Sequence, residues 1–86
     1  MGRFRDQRLL EIYLYGVTAG VPAEDCVAIR GKLEILLAAR GWTSVGLLAE
    51  PFVVATGRIA MMLTADWAVS FEWWDGQGAL EMQLEP

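Results

Sequence analysis

The chain has 86 residues, 55% of them hydrophobic and 21% charged, with no histidine, one cysteine (Cys26) and a net charge of −4. That length fits a single domain over residues 1–86, and the composition is that of a folded chain, not a disordered tail. Without histidine and with one thiol, a single chain cannot build a disulfide, a Cys/His zinc site or a histidine-based catalytic triad, so neither cofactor nor metal is expected. The negative charge disfavours nucleic acid as a direct ligand. Glu34, Arg40, Glu50, Arg58 and Asp66 cut every apolar run short of the ~18 residues a bilayer span needs. No membrane segment is therefore expected, and Glu11 interrupts the only apolar stretch that could begin a signal peptide. A lone thiol suits a cytoplasmic protein.

Leu9, Ile12 and Tyr13 recur at helical spacing, which predicts a short amphipathic helix from about Asp6 to Tyr15, broken by the segment Gly16 to Gly20. Val21-Pro22-Ala23-Glu24-Asp25 opens a second helix, with proline tolerated in the first turn and two carboxylates at the positive end of the dipole. Cys26, Ile29, Leu33, Leu36 and Leu37 form its stripe, and Arg40 with Gly41 stops it. Gly31 costs about 1 kcal/mol inside a helix and marks close approach of another backbone. Trp42 to Gly46 reads as a connection.

From there the period changes to two. Phe52–Thr56 and Ile59–Thr64 predict the first two strands, with turns at Gly57 and Ala65-Asp66. Trp67, Val69, Phe71 and Trp73 alternate with more polar positions in a third strand, Asp75-Gly76-Gln77-Gly78 is a turn, and Leu80, Met82 and Leu84 alternate in a fourth. Pairing Trp74 with Ala79 sets Trp73 against Leu80, Phe71 against Met82 and Val69 against Leu84, with every apolar side chain on one face. The expected fold is α+β, with two N-terminal helices packed on a C-terminal antiparallel meander.

The same register sets Glu72 opposite Glu81, an unfavourable like-charge pair beside an outward Trp74. Charge is divided unevenly along the chain. Residues 1–40 carry six basic and five acidic side chains, whereas residues 41–86 carry Arg58 alone against six acids. Glu72, Trp74, Asp75, Glu81, Gln83 and Glu85 are the candidate partner-binding residues, an acidic surface with an aromatic anchor. Trp67 and Trp73 are read as packing, Tyr13 and Tyr15 as amphipathic packing, Cys26 as a small core hydrophobe, and Arg3, Arg5 and Arg8 as a solvated edge. Trp42 fits either packing or a contact.

Gly20-Val21-Pro22-x-Glu24, then Leu33-x-x-Leu36-x-Ala38-Ala39, then Asp66-Trp67-x-Val69-x-Phe71-x-Trp73-x-Asp75-Gly76 resembles the HigB branch of the RelE-type toxin fold, over about Phe4 to Glu85. The resemblance implies a small ribosome-dependent mRNA endonuclease neutralised by an antitoxin. This sequence departs from it where the cations belong: Ala68 and Glu72 stand at usually basic positions, Met62 stands near a frequent arginine, and the chain ends Glu85-Pro86 where the family tends to have Asp-Tyr-His. Cleavage needs charge stabilisation and proton transfer, and those groups are missing.

The expected function is therefore a non-catalytic inhibitor whose acidic sheet surface blocks a basic, nucleic-acid-binding protein partner, in the manner of small acidic phage-type anti-defence or anti-CRISPR proteins. That class comes by analogy of size and charge. The alternative is the HigB-type endonuclease of a toxin–antitoxin pair with relocated catalytic residues, and the high apolar content also allows a homodimer.

Overall fold

A computed structural model describes residues 2–46, 52–55 and 57–86. The elements are α1 (Gln7–Tyr15), α2 (Ala23–Ala38), α3 (Trp42–Gly46), β1 (Phe52–Ala55), β2 (Arg58–Met62), β3 (Ala68–Trp74) and β4 (Gly78–Glu85). Each strand pairs antiparallel with its neighbour in sequence, in the order β1-β2-β3-β4, so the α+β meander is observed. The segment read as a connection contains the short α3. Glu50 and Thr56, the expected end of the first strand, lie outside the described residues.

Asp6 caps α1 through a bond from the Arg8 N–H to its carboxylate, and Gly16 ends the helix in the left-handed region at φ 82°, donating to the Ile12 carbonyl. Leu9 and Ile12 are buried and Tyr13 packs against them, but Tyr15 is 74% exposed, contrary to the packing expected of it, because it sits at the final helical position beyond the buried stripe. Helix α2 buries Cys26, Ile29, Leu33 and Leu36. It stops at Ala38, before Gly41, where Ala39 turns extended and donates to the Ile35 and Leu36 carbonyls, and two guanidinium groups bond the Leu37 carbonyl left open. Arg40 donates to the carbonyls of Leu37 (2.8 Å) and Ala39 (3.2 Å), and Arg3 donates to Leu37 (2.7 Å).

Arg3 and Arg8 are therefore not a solvated edge, whereas Arg5 is exposed as expected. Arg3 also donates to the Gln77 carbonyl at 2.6 Å, tying the N-terminal arm to both α2 and the β3–β4 turn. Burial, and then the charge of Arg40, lowers the Arg3 pKa. Arg8 pairs with the Asp6 carboxylate at 2.9 Å, donates to the Leu84 carbonyl, and lies 5.9 Å from the ring of Trp67. Residues 2–5 run parallel to β4: the N–H groups of Glu81 and Met82 donate to the carbonyls of Gly2 and Arg3, and Arg5 N–H donates to Met82. The arm thus covers an edge that would otherwise present free backbone groups.

That arm explains why the expected register holds only halfway. Val69 faces Leu84 as expected and Ser70 faces Gln83, but beyond them the pairs are Glu72↔Leu80, Trp73↔Ala79 and Trp74↔Gly78. Glu81 and Met82 together oppose Phe71, and Glu81 takes φ 54°. In a regular strand successive N–H groups point to opposite sides; two in a row can reach the arm only where alternation breaks. Ala79 consequently joins the core beside Trp73, and Leu80 turns to the outer face while remaining 4% exposed. The Glu72–Glu81 opposition does not occur. Gly78, at φ 89°, fixes the turn under α2, since a Cβ there would lie 2.7 Å from the Ala39 carbonyl oxygen.

Strand β2 ends at Met62, earlier than expected, because the Leu63 and Thr64 N–H groups both bond the Trp67 carbonyl and close the turn. The third strand then begins at Ala68, after Trp67. Ile29 and Leu33 pack in one core with Val69, Phe71, Met82 and Leu84, between the helices and the inner sheet face. Trp67 and Trp73 are partly buried against this core, as expected, and Trp42, 42% exposed, meets Trp73 edge-on with ring centroids 5.2 Å apart. Gly31 marks no close backbone approach among the described residues, none of which lies within 4 Å of a Cβ built there. Among the described residues, no helix is long and apolar enough to cross a membrane.

Candidate functional site

The outer face of the sheet is built by alternation. With Val69, Phe71 and Trp73 turned inward, β3 presents Ala68, Ser70, Glu72 and Trp74 outward; the observed pairs add Ala60 and Met62 from β2 and Leu80, Gln83 and Glu85 from β4. Ala60, Ala68, Ser70 and Leu80 are buried without belonging to the core cluster, so the low middle of this face is shielded by its longer neighbours.

Arg58 organises the polar part. Its Nη2 donates to Ser70 Oγ at 3.0 Å and to the Glu81 carbonyl at 2.9 Å, and its Nη1 lies 3.8 Å from Glu72 Oε2. Ser70 Oγ in turn donates to Glu85 Oε1 at 3.0 Å. A single chain of contacts therefore spans three strands, and the left-handed Glu81 is what aims its carbonyl at the guanidinium. The Arg58 side chain is 16% exposed and that of Glu72 29%. The only cation of residues 41–86 is thus engaged within the face.

Trp74 is 46% exposed, and its Nε1 donates to Glu72 Oε1 at 3.3 Å. The indole is oriented by a carboxylate that Arg58 itself orients. Gly78 opposite leaves no side chain to cover it. Asp75 is exposed in the adjoining turn, closed by the Gln77 N–H bonding the Trp74 carbonyl at 3.0 Å. Glu81 and Gln83 are half-buried and have no side-chain hydrogen bond among the described residues.

The six candidate residues thus divide. Glu72 and Glu85 are tied into the Arg58–Ser70 chain and Trp74 bonds to Glu72, while the side chains of Asp75, Glu81 and Gln83 make no hydrogen bond among the described residues. Sequence reasoning missed Arg58 and Ser70 as the supports of this face. The signal was present in Arg58, a lone cation in an acidic block, whereas nothing in the residue type of Glu81 announces a bulge.

Ser70 is 2% exposed with its hydroxyl used as both donor and acceptor, and the Cys26 thiol is fully buried and donates to the Val21 carbonyl at 3.7 Å. Among the described residues no group of three or more His, Cys, Asp or Glu side chains is placed to hold a metal ion. No protein-family model matches the chain, and no curated protein matches it.

Proposed function

We propose that the chain is a non-catalytic binding protein that docks the outer face of its β3–β4 ribbon on a basic, nucleic-acid-binding protein. The observation that carries this reading is the exposed Trp74, held by Glu72 beside Asp75, on a face whose one cation is already engaged. An oriented indole loses little conformational freedom on binding, and carboxylates around it both steer a basic partner and compete with phosphates for the same groove. A small phage-type anti-defence or anti-CRISPR inhibitor is one class with this chemistry.

The engaged state of Arg58 also favours binding over RNA cleavage. If the toxin resemblance is carried over, the three cation positions hold a buried Ala68, an Arg58-paired Glu72 and an exposed Met62. The test uses the immobilised full chain against host lysate, with bound proteins eluted by salt and identified, beside an mRNA-integrity assay in a translating extract. The wild type retains a basic nucleic-acid-binding protein that salt releases, and mRNA stays intact. Trp74→Ala weakens that complex by about 2 kcal/mol, the scale of a hot-spot residue. Asp75→Lys with Glu81→Lys abolishes it while leaving the Arg58–Glu72 pair in place. Unchanged capture by the double variant overturns the binding site, and ribosome-dependent cleavage by the wild type establishes the toxin reading instead.

A further inference from the structure

Helix α2 is apolar on both sides. Opposite its buried face, Val27 is 73% and Ile35 53% exposed, with Gly31 midway between them and Ala38 one turn further on. At 100° per residue these four positions form one stripe, whereas a helix at a molecular surface ordinarily keeps that side polar. Gly31 is open: no atom of the described chain comes near its missing Cβ, so nothing among the described residues requires a residue that weakens the helix. Arg30 and Glu34 line one flank of the stripe and lie 4.0 Å apart.

We propose that this face is a homodimer interface in which two copies pair their α2 helices antiparallel about Gly31. With the two-fold axis at Gly31, position 31+n of one copy meets 31−n of the other. Val27 of the second copy then seats against Ile35 and the shallow depression formed by Glu34, Ile35, Ala38 and Ala39. Glu34 of the second copy comes level with Ala28, two residues and about 3 Å of axial rise from Arg30. Two intermolecular Arg30–Glu34 pairs thus form, related by the two-fold axis and lying together on that one flank. A parallel pairing would instead carry the Arg30 and Glu34 flanks of the two copies to opposite sides, where no such pair forms. Glu24 of the second copy comes level with Ala38, at the helix end that Arg40 occupies. The absent Cβ of Gly31 lets the backbones approach where they cross.

The contact is modest in extent. A standard interface covers about 800 Å² per partner, and α2, at 16 residues, is only about 24 Å long. The apolar surface continues beside Arg30, however, because Gly16 lies next to the Arg30 guanidinium and is flanked by Tyr15 and Val17, 74% and 57% exposed. The expected association is therefore on the order of 10 μM. Because α2 packs on the inner face of the sheet, its solvent side points away from the face that carries Trp74, and the two proposals are separable.

The test is sedimentation equilibrium of the full chain from about 1 to 500 μM. The wild type passes from the mass of one chain to twice that mass. Arg30→Glu weakens the dimer about tenfold or more by gathering four carboxylates on one flank, and Arg30→Glu with Glu34→Arg restores it. Gly31→Leu abolishes the dimer while raising the unfolding midpoint of the dilute monomer, a pair of effects that a misfolded variant cannot give. Asp75→Lys with Glu81→Lys dimerises like the wild type. A wild type that stays monomeric throughout, including one that instead binds another protein's helix, overturns the proposal. So does a dimer that is indifferent to Arg30→Glu.

Discussion

Replacing Arg58 separates a structural cation from a functional one. Arg58→Ala removes two charge-assisted hydrogen bonds, to Ser70 Oγ at 3.0 Å and to the Glu81 carbonyl at 2.9 Å, and leaves Glu72 without its ion-pair partner. Hydrogen bonds from a charged group contribute about 1.5–3 kcal/mol each. Water entering the vacated space offsets part of that, as does relief from burying a guanidinium whose Nη1 has no hydrogen-bond partner among the described residues. The expected net loss is about 2–4 kcal/mol, a large share of the ~5–15 kcal/mol typical of a folded domain. Urea unfolding followed by fluorescence of the four tryptophans measures it, with the slope of free energy on denaturant unchanged. Arg58→Met keeps the stem's packing without the charge, and Arg58→Lys offers one ammonium to acceptors spread over two strands, so both fall between alanine and wild type. A loss below about 0.5 kcal/mol in both Arg58→Ala and Arg58→Met would refute the account of Arg58 as the fastener of this face and return it to the pool of free, potentially catalytic cations.

Two further substitutions probe the framework. Burial alone would raise the Asp6 pKa, but hydrogen bonds from Arg8 and Leu84 outweigh it and hold the carboxyl below its ordinary value. Its stabilisation is therefore fully present above the unfolded pKa of about 4 and is lost as pH falls through the lower folded value, so Asp6→Asn, which retains a helix cap, flattens the acid limb of stability against pH. A difference between wild type and Asp6→Asn that grows on acidification contradicts this. Gly78→Ala combines a left-handed φ of 89° with a Cβ placed 2.7 Å from the Ala39 carbonyl oxygen. It should cost at least about 2 kcal/mol and lower the melting temperature by roughly 10 °C; a melting temperature within about 2 °C of wild type would mean that the turn is free to move from under α2.

The fold was legible where burial decides the pattern and illegible where a distant backbone does. Leu9 and Ile12, the Cys26–Leu36 stripe, and the alternation through Val69 and Phe71 each announce an element because a misplaced apolar side chain would lose its core contact. The register between β3 and β4 follows the same logic as far as Ser70, and then the N-terminal arm overrides it, since the arm's bonds to Glu81 and Met82 reward a bulge that no side chain specifies. The candidate site inherits that error. Glu72 was legible as a surface carboxylate and Trp74 as an outward aromatic, but the one-residue slip removes the Glu72–Glu81 opposition and sends the Glu81 carbonyl to Arg58, which the separate β2–β3 register already sets beside Glu72.

The bulge therefore changes what the face can do as well as how it is paired. A row of opposed carboxylates would be a site under electrostatic strain, ready to accept any cation. Arg58 instead pairs with Glu72 there, so the proposed binding reading rests on the end of the ribbon, where Trp74 and Asp75 are exposed. Glycine follows the same division between internal and external causes. Gly78 is explained within the chain, by the carbonyl pressed against it and by its left-handed backbone, and Gly31 by neither. The glycine at the centre of that exposed apolar stripe, with opposite charges along one flank, is what the proposed α2 pairing accounts for.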